Sequence, residues 1–418
     1  MAAGAREAGS GDRVVSGAPG LPDIAASVAV APVDMAHVDV AIVGGGLAGG
    51  LIALALAAQR PELRVALIEE QHHCGGNHVW SCFASDIAPE HRWLVTPLIG
   101  HAWDGHDVRF SDHERRFVQG YQSIESEALD AMLRATLPPD ALITGAAAHM
   151  LTPTSVRLAD GRTIAAGGVI DARGPGDLST LDLGWQKFLG QRLELAAPHG
   201  LTRPVIMDAT VDQTDGYRFV YLLPFGPRSI FVEDTYYSVD PHLDAPLLEG
   251  RIADYARERG WAVVSTGRQE TGVLPVAMGG DFAAYWRAGA EGVAKVGLRG
   301  GFFHAMTGYS LVEAVRVAAD VAAMPDLSGP ALHAALRRMG EAHWRGGRFY
   351  RLLAELLFRA ADAPERHRIL ARFYRLDPAL IDRFYAGKST VYDKLRIMTG
   401  KPPVPLGRAI SVLGAHSR

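Results

Sequence analysis

The chain has 418 residues, of which 48% are hydrophobic, with a formal net charge of −4 and only two cysteines. That length buries a large core and suits two intimately joined domains. The mild acidity excludes a basic nucleic-acid-binding face, and Cys74 and Cys82 alone exclude a disulfide framework and fit a reducing compartment.

Residues 1–37 are rich in Ala, Gly, Val and Pro. Asp23 and several prolines interrupt the apolar segment that a signal peptide would need, so a disordered N-terminal extension is expected there. No apolar run anywhere reaches the roughly 18 residues of a membrane span, although a position on a membrane surface stays open.

The chain then turns to Val38-Asp39-Val40-Ala41-Ile42-Val43, a β-branched run that breaks into Gly44-Gly45-Gly46-Leu47-Ala48-Gly49 and an apolar helix over Leu47–Gln59. Gly44, Gly46 and Gly49 stand in the G-x-G-x-x-G spacing: one glycine for the turn, one for approach to a pyrophosphate, one for close helix–strand packing. The helix N-terminus would aim unpaired N–H groups and partial positive charge at the phosphates. After Pro61, Arg64 to Ile68 reads as a second parallel strand ending on Glu69. An acid at that tip accepts hydrogen bonds from a ribose diol, and the agreement of strand, turn, helix, strand and acid lifts the glycine pattern above chance.

Three histidines and two cysteines crowd Gln71 to Cys82, but no second pair of ligands follows at zinc spacing. A loop beside the nucleotide is expected there and no metal. Residues 128–137 predict a short helix. Asp160-Gly161 predicts a hairpin between Ser155–Leu158 and Thr163–Ala165, and Gly168 to Gly174 predicts a buried strand returning to the nucleotide fold.

From Leu193 the pattern becomes antiparallel β structure. Tyr217–Leu223 and Ser229–Tyr237 form a predicted hairpin with Glu233 and Asp234 in its second strand. Strand alternation sets Phe231, Glu233 and Thr235 on one side and Val232, Asp234 and Tyr236 on the other, so only one of the two acids can face a given cavity. Acids are costly inside an aromatic strand, so the pair calls for an explanation: Glu233 or Asp234 faces a cavity, or one or both point to solvent on an edge strand.

A second glycine-rich stretch, Gly297 to Ser310, leads into a helix with Ser310 and Glu313 at capping-box spacing. Gly301, Gly308 and Tyr309 in it are candidate cofactor contacts. Two glycine-rich helix starts so far apart suit a large dinucleotide bound extended, FAD more than NAD. His304 reads as a satisfied loop histidine. Residues 333–375 predict amphipathic helices that cover a core or dock on a bilayer.

Together these stretches resemble the bacterial lycopene β-cyclases, from about Val38 to the C-terminus. The residues that carry the resemblance are the glycine fingerprint, Gly75-Gly76-Asn77-His78 with Trp80-Ser81, Trp185 to Gly190, the acidic strand Phe231 to Thr235, Phe303-His304 with Thr307 to Ser310, and Arg383 to Gly387 with Asp393-Lys394-Leu395. Two departures stand out: Asp234 replaces the second glutamate of the family's acidic strand, and Ala305-Met306 replaces Pro-Thr.

The resemblance implies an α/β fold. A Rossmann-type FAD-binding domain of the flavoprotein hydroxylase or glutathione reductase kind (38–192 with 290–325) would carry an antiparallel β substrate domain (193–289) and C-terminal helices (326–418). It also implies reduced FAD, NADPH as reductant, and redox-neutral closure of the ends of lycopene to β-ionone rings, giving γ-carotene and then β-carotene. Glu233 matches the acid implicated in catalysis, and Asp234 stands beside it in the sequence as a supporting or an opposite-face residue. A water-insoluble substrate further implies peripheral attachment to the cytoplasmic face of the cell membrane. The rival reading is a flavin monooxygenase or isoprenoid reductase on the same fold. Many of these carry Gly-Asp at the second flavin contact, where this chain has Leu298-Arg299-Gly300-Gly301.

Overall fold

A computed structural model describes residues 34–214, 216–400, 407–409 and 411–412. Most of the expected N-terminal extension, residues 1–33, lies outside the described residues. The first strand, Asp34–Val43, begins four residues earlier than its apolar run.

That strand is the centre of a seven-stranded sheet. It pairs in parallel with Val65–Ile68 on one side and Thr163–Asp171 on the other. Parallel strands buried on both faces read as continuous apolar runs, which is how Val40 to Val43 and Val65 to Ile68 appear in the sequence. The helix Leu47–Gln59 covers one face, with Leu311–Ala322 packed along it. The strands Ser155–Leu158 and Thr163–Asp171 form the expected hairpin at the edge. Ala294–Lys295 returns from far downstream to pair in parallel with Ile170 and Asp171.

The second sheet is also seven-stranded, in the order Val263–Gly280, Leu181–Leu195, Ser229–Ser238, Tyr217–Pro224, Val205–Asp208, His106–Phe110, His113–Phe117. It departs from the expected boundaries twice. Its long strand starts at Leu181, ahead of Leu193, and it takes the 106–117 hairpin from within the first domain's stretch of sequence. A small three-stranded sheet, Val79–Phe83, Tyr121–Glu125 and His101–Trp103, sits between the two.

The C-terminal helices Arg348–Glu355, His367–Phe373 and Pro378–Tyr385 close over the aromatic face of the second sheet, while Gly329–Gly346 packs on the first through Leu332 and Leu336. Tyr350, Leu357, Phe358, Phe373 and Phe384 are buried there, so the apolar faces of residues 333–375 point inward rather than toward a bilayer.

Candidate active site

Each of the three fingerprint glycines does what its position demands. Gly44 has φ +106°, the left-handed region that a side chain resists, and it makes the turn off the strand. A Cβ on Gly49 would collide with the Gly44 carbonyl oxygen, so that glycine sets how closely helix and strand approach. A Cβ on Gly46 would meet nothing within 4 Å. Gly46 is also the N-cap of Leu47–Gln59, where no side chain caps the helix and no acid occupies the first turn. An open space above uncapped N–H groups is the cradle that a pyrophosphate requires.

Glu69 lies beside this cradle. Its carboxylate accepts from the Gly45 N–H at 2.6 Å and from the Gln71 N–H at 2.9 Å, which holds it at the tip of the second strand. Gly75 donates to the Gly45 carbonyl at 2.9 Å, so the His72–Asn77 loop lies against the fingerprint. Among the described residues, no group of three or more His, Cys, Asp or Glu side chains could share a metal ion.

The downstream glycine-rich stretch reaches the same place. A Cβ on Gly297 would touch Ala48, in the first turn of the fingerprint helix, at 3.1 Å. Gly301 (φ +76°) backs onto the Phe282 ring, and Gly308 (φ +69°) packs against Leu274 of the second sheet. The loop between them therefore bridges the nucleotide fold and the antiparallel sheet. It closes on itself with His304 N–H to the Tyr309 carbonyl and Gly308 N–H to the His304 carbonyl, each 2.8 Å, with Ala305 and Met306 in place. His304 is buried, bonded to Phe384 O at 3.2 Å and to the Thr307 hydroxyl, and burial pushes its pKa down to about 4. It is a neutral structural residue. The capping box does not form: the Ser310 side chain makes no cap bond, and Glu313 instead pairs with Arg316 at 2.6 Å. Tyr309 keeps 39% of its surface, which opens into a cleft of 160 Å³ lined also by Phe303, Tyr385 and Gly387.

Across the antiparallel sheet, Glu270, Gly190, Glu233 and Tyr221 stand directly opposite one another on four neighbouring strands. Residues so paired point to one face, which puts both acids and the tyrosine together. The next two rows on that face are Gly272, Phe188, Thr235, Phe219 and Leu274, Gln186, Tyr237, Tyr217. Gly190 matters because a Cβ there would collide with the Phe231 ring. An aromatic edge thus fills the space between the two carboxyl groups.

Glu233 accepts from the Thr235 hydroxyl at 2.6 Å. Its ring of neighbours removes enough water that desolvation, and then repulsion from Glu270, pushes its pKa up to about 8. It keeps some accessible surface all the same, so it is shielded from bulk water without being sealed off. Glu270 is buried and held quite differently, by His78 Nδ1 at 3.0 Å and the Val79 N–H at 2.9 Å. Of the two carboxyl groups on this face, burial keeps Glu233 protonated near neutrality, and Glu270 is fixed in place by its two donors. The Tyr221 hydroxyl lies 2.9 Å from that of Tyr121, which arrives from the small sheet.

Asp234 faces away. It is fully buried among Val232, Tyr236 and Leu248, and the Arg218 guanidinium grips it with Nη2 at 2.6 Å and Nε at 2.9 Å. The alternation that brings Glu233 to the aromatic face takes Asp234 to the helix-covered one. Asp234 therefore anchors the hairpin from the opposite face, the second of the two places expected for it, and not from a place beside Glu233.

Glu270 and Arg218 were not singled out in the sequence, and His78 only as part of the Gly75 to Ser81 stretch, with no partner. Glu270 lies in a polar run, Ser265 to Thr271, that looks like solvated surface. Only its register against Gly190, set by residues some 80 positions away, brings it to Glu233.

Residues 39–411 match the family described as Lycopene cyclase protein. The chain is 46% identical over 360 residues to a lycopene beta-cyclase of Pseudescherichia vulneris, covering 86% of this chain and 92% of that one. It is 42% identical over 364 residues to a lycopene beta-cyclase of Pantoea ananas, covering 87% and 94%. Among solved structures it resembles a flavin-dependent halogenase from Xanthomonas campestris (TM-score 0.56, 13% identity, 91% of this chain and 94% of that one). It also resembles a geranylgeranyl bacteriochlorophyll reductase-like protein from Thermoplasma acidophilum (TM-score 0.53, 13% identity, 91% and 99%). These structures share the flavoprotein hydroxylase fold with it at low identity, whereas the likeness to the cyclases runs along nearly the whole sequence: the chain belongs to the lycopene cyclase family.

Proposed function

We propose that this protein is a lycopene β-cyclase that closes the acyclic ends of lycopene into β-ionone rings with reduced FAD bound and NADPH as the source of its electrons. The observation that carries the mechanism is Glu233, a carboxyl group with a pKa near 8 on an aromatic sheet face.

Glu233 delivers its proton to the terminal double bond, which leaves a tertiary cation. A nearby double bond of the chain attacks that cation and closes the ring, and loss of a ring proton restores neutrality. One proton enters and one leaves, so no net oxidation occurs. The protein must hold the cation and keep water from trapping it as an alcohol. Phe188, Phe219 and Phe231 line the sheet face beside Glu233, and each aromatic face that meets the cation contributes about 1 to 2 kcal/mol when desolvated. The Glu270 carboxylate, fixed by His78 and Val79, adds a negative charge on the same face.

Gly44, Gly46, Gly49 and Glu69 would hold the pyrophosphate and ribose of FAD, and Gly301, Gly308 and Tyr309 would meet its other end, a reading supported by the packing of Gly297 of the same stretch against Ala48. When bound and reduced, FAD supplies a negatively charged ring that favours the cation. Lycopene dissolves in bilayers, so the enzyme acts peripherally on the cytoplasmic face of the membrane. Among the described residues no helix is long and apolar enough to cross one.

Glu233→Gln tests the assignment. It should retain FAD and lose cyclisation by about 10²- to 10⁴-fold, and normal turnover by the variant would show that another group donates the proton.

A further inference from the structure

The reading just given requires a bilayer-docking surface, and the helices over 333–375 do not provide one. We propose that the helix Val391–Met398 is that surface and that its partner is an anionic lipid bilayer; this rests on the proposed use of a membrane-dissolved substrate.

Val391, Tyr392, Leu395 and Met398 are 75%, 72%, 60% and 38% exposed, a third of the large apolar side chains found exposed among the described residues, all on one helix of eight residues. Their spacing puts them on one stripe. The stripe is held outward. Asp393, fully buried on the opposite side, pairs with Arg383 at 2.6 Å and completes a capping box with Thr390. Ile397 packs inward, and Lys394 lies over the Phe349 ring, 5.6 Å from its centroid. A helix fixed this firmly does not expose four apolar side chains by fraying.

Charge selects the partner. Lys388 and Arg396 flank the stripe, and Arg372 reaches the Thr399 carbonyl at its end, while the one acid of the helix is neutralised by Arg383. An apolar stripe with a basic rim, on a chain of net charge −4, is complementary to anionic head groups and not to another copy of an acidic protein. Position agrees. Tyr385, Ala386 and Gly387, immediately before the helix, line the cleft into which Tyr309 opens. A bilayer seated on the helix would lie at the mouth of that cleft.

The test uses full-length holoenzyme and flotation with vesicles of phosphatidylethanolamine and phosphatidylglycerol, with phosphatidylcholine vesicles as the neutral control. Wild type should float with the anionic vesicles. A combined Val391→Ser, Tyr392→Ser, Leu395→Ser variant, and separately Arg396→Glu, should bind them at least about tenfold more weakly. Turnover of vesicle-borne lycopene should fall to match, while turnover of detergent-dispersed lycopene stays at the wild-type level. Equal flotation of wild type and the triple-serine variant would overturn the proposal, as would a wild-type dimer that the triple-serine variant dissociates. If wild-type protein floats as expected yet cyclises lycopene in neither format, the docking surface stands and the proposed reaction falls.

Discussion

Glu233 carries two consequences that can be measured apart from each other. As a proton donor it must be protonated, so the cyclisation rate should fall as pH rises through about 8. The same shift bears on stability. The ordinary value of a glutamate is 4.5, and the folded value near 8 stands above it, so the native state holds a proton that the unfolded chain has already released between the two. The contribution of Glu233 to stability is complete below about pH 4.5 and is lost as pH climbs through 8. Glu233→Gln cannot ionise, so its Tm should gain on wild type steadily from about pH 5 to about pH 9; a Tm difference that does not change with pH would mean that the carboxyl is solvated. At this scale the sequence was informative about which strand bears acids and that the two acids must part company. It was silent on Glu270, because what brings Glu270 to the site is strand register across Gly190, which no local pattern encodes.

At the scale of elements, the fingerprint turn separates binding from folding. Gly46→Ala adds a methyl to empty space at an ordinary φ of −68°, so apoprotein stability should move by less than about 0.5 kcal/mol while FAD retention falls. Gly49→Ala drives a methyl into the Gly44 carbonyl, so it should lose both fold stability and flavin. Flavin content with apoprotein melting checks the pair, and undiminished FAD in Gly46→Ala would contradict the cradle. The hairpin makes its own prediction. Arg218→Met leaves Asp234 buried without its partner and should cost about 3 to 5 kcal/mol in denaturant unfolding, much of it recovered when Asp234→Leu is added. These elements were legible because their signals are local: β-branched runs, glycine spacing, and alternation. The capping box failed on both halves: Ser310 has ψ −12°, not the extended backbone that aims an N-cap hydroxyl at the first turn, and Arg316 holds the Glu313 carboxylate.

Among the described residues two seven-stranded sheets and a small three-stranded one are joined by loops and helices, with the glycine fingerprint on the first and the aromatic acid-bearing face on the second. The nucleotide fold could be read in the sequence because βαβ units build sheets from consecutive segments. The second sheet could not be bounded that way, since it draws the 106–117 hairpin and the Leu181–Leu195 strand from stretches that look like parts of the first domain. Strand pairing between distant segments sets that boundary, and composition does not change where it falls.

A proton-initiated reaction with no net redox change leaves an isotopic mark when it is run in deuterated buffer. Anaerobically reduced enzyme given lycopene should yield a carotene isomeric with it, carrying one solvent deuterium for each ring closed, and the Glu233→Gln enzyme should yield none. A product that has gained oxygen or a pair of hydrogens, or a ring closed without deuterium, would rule out proton-initiated cyclisation.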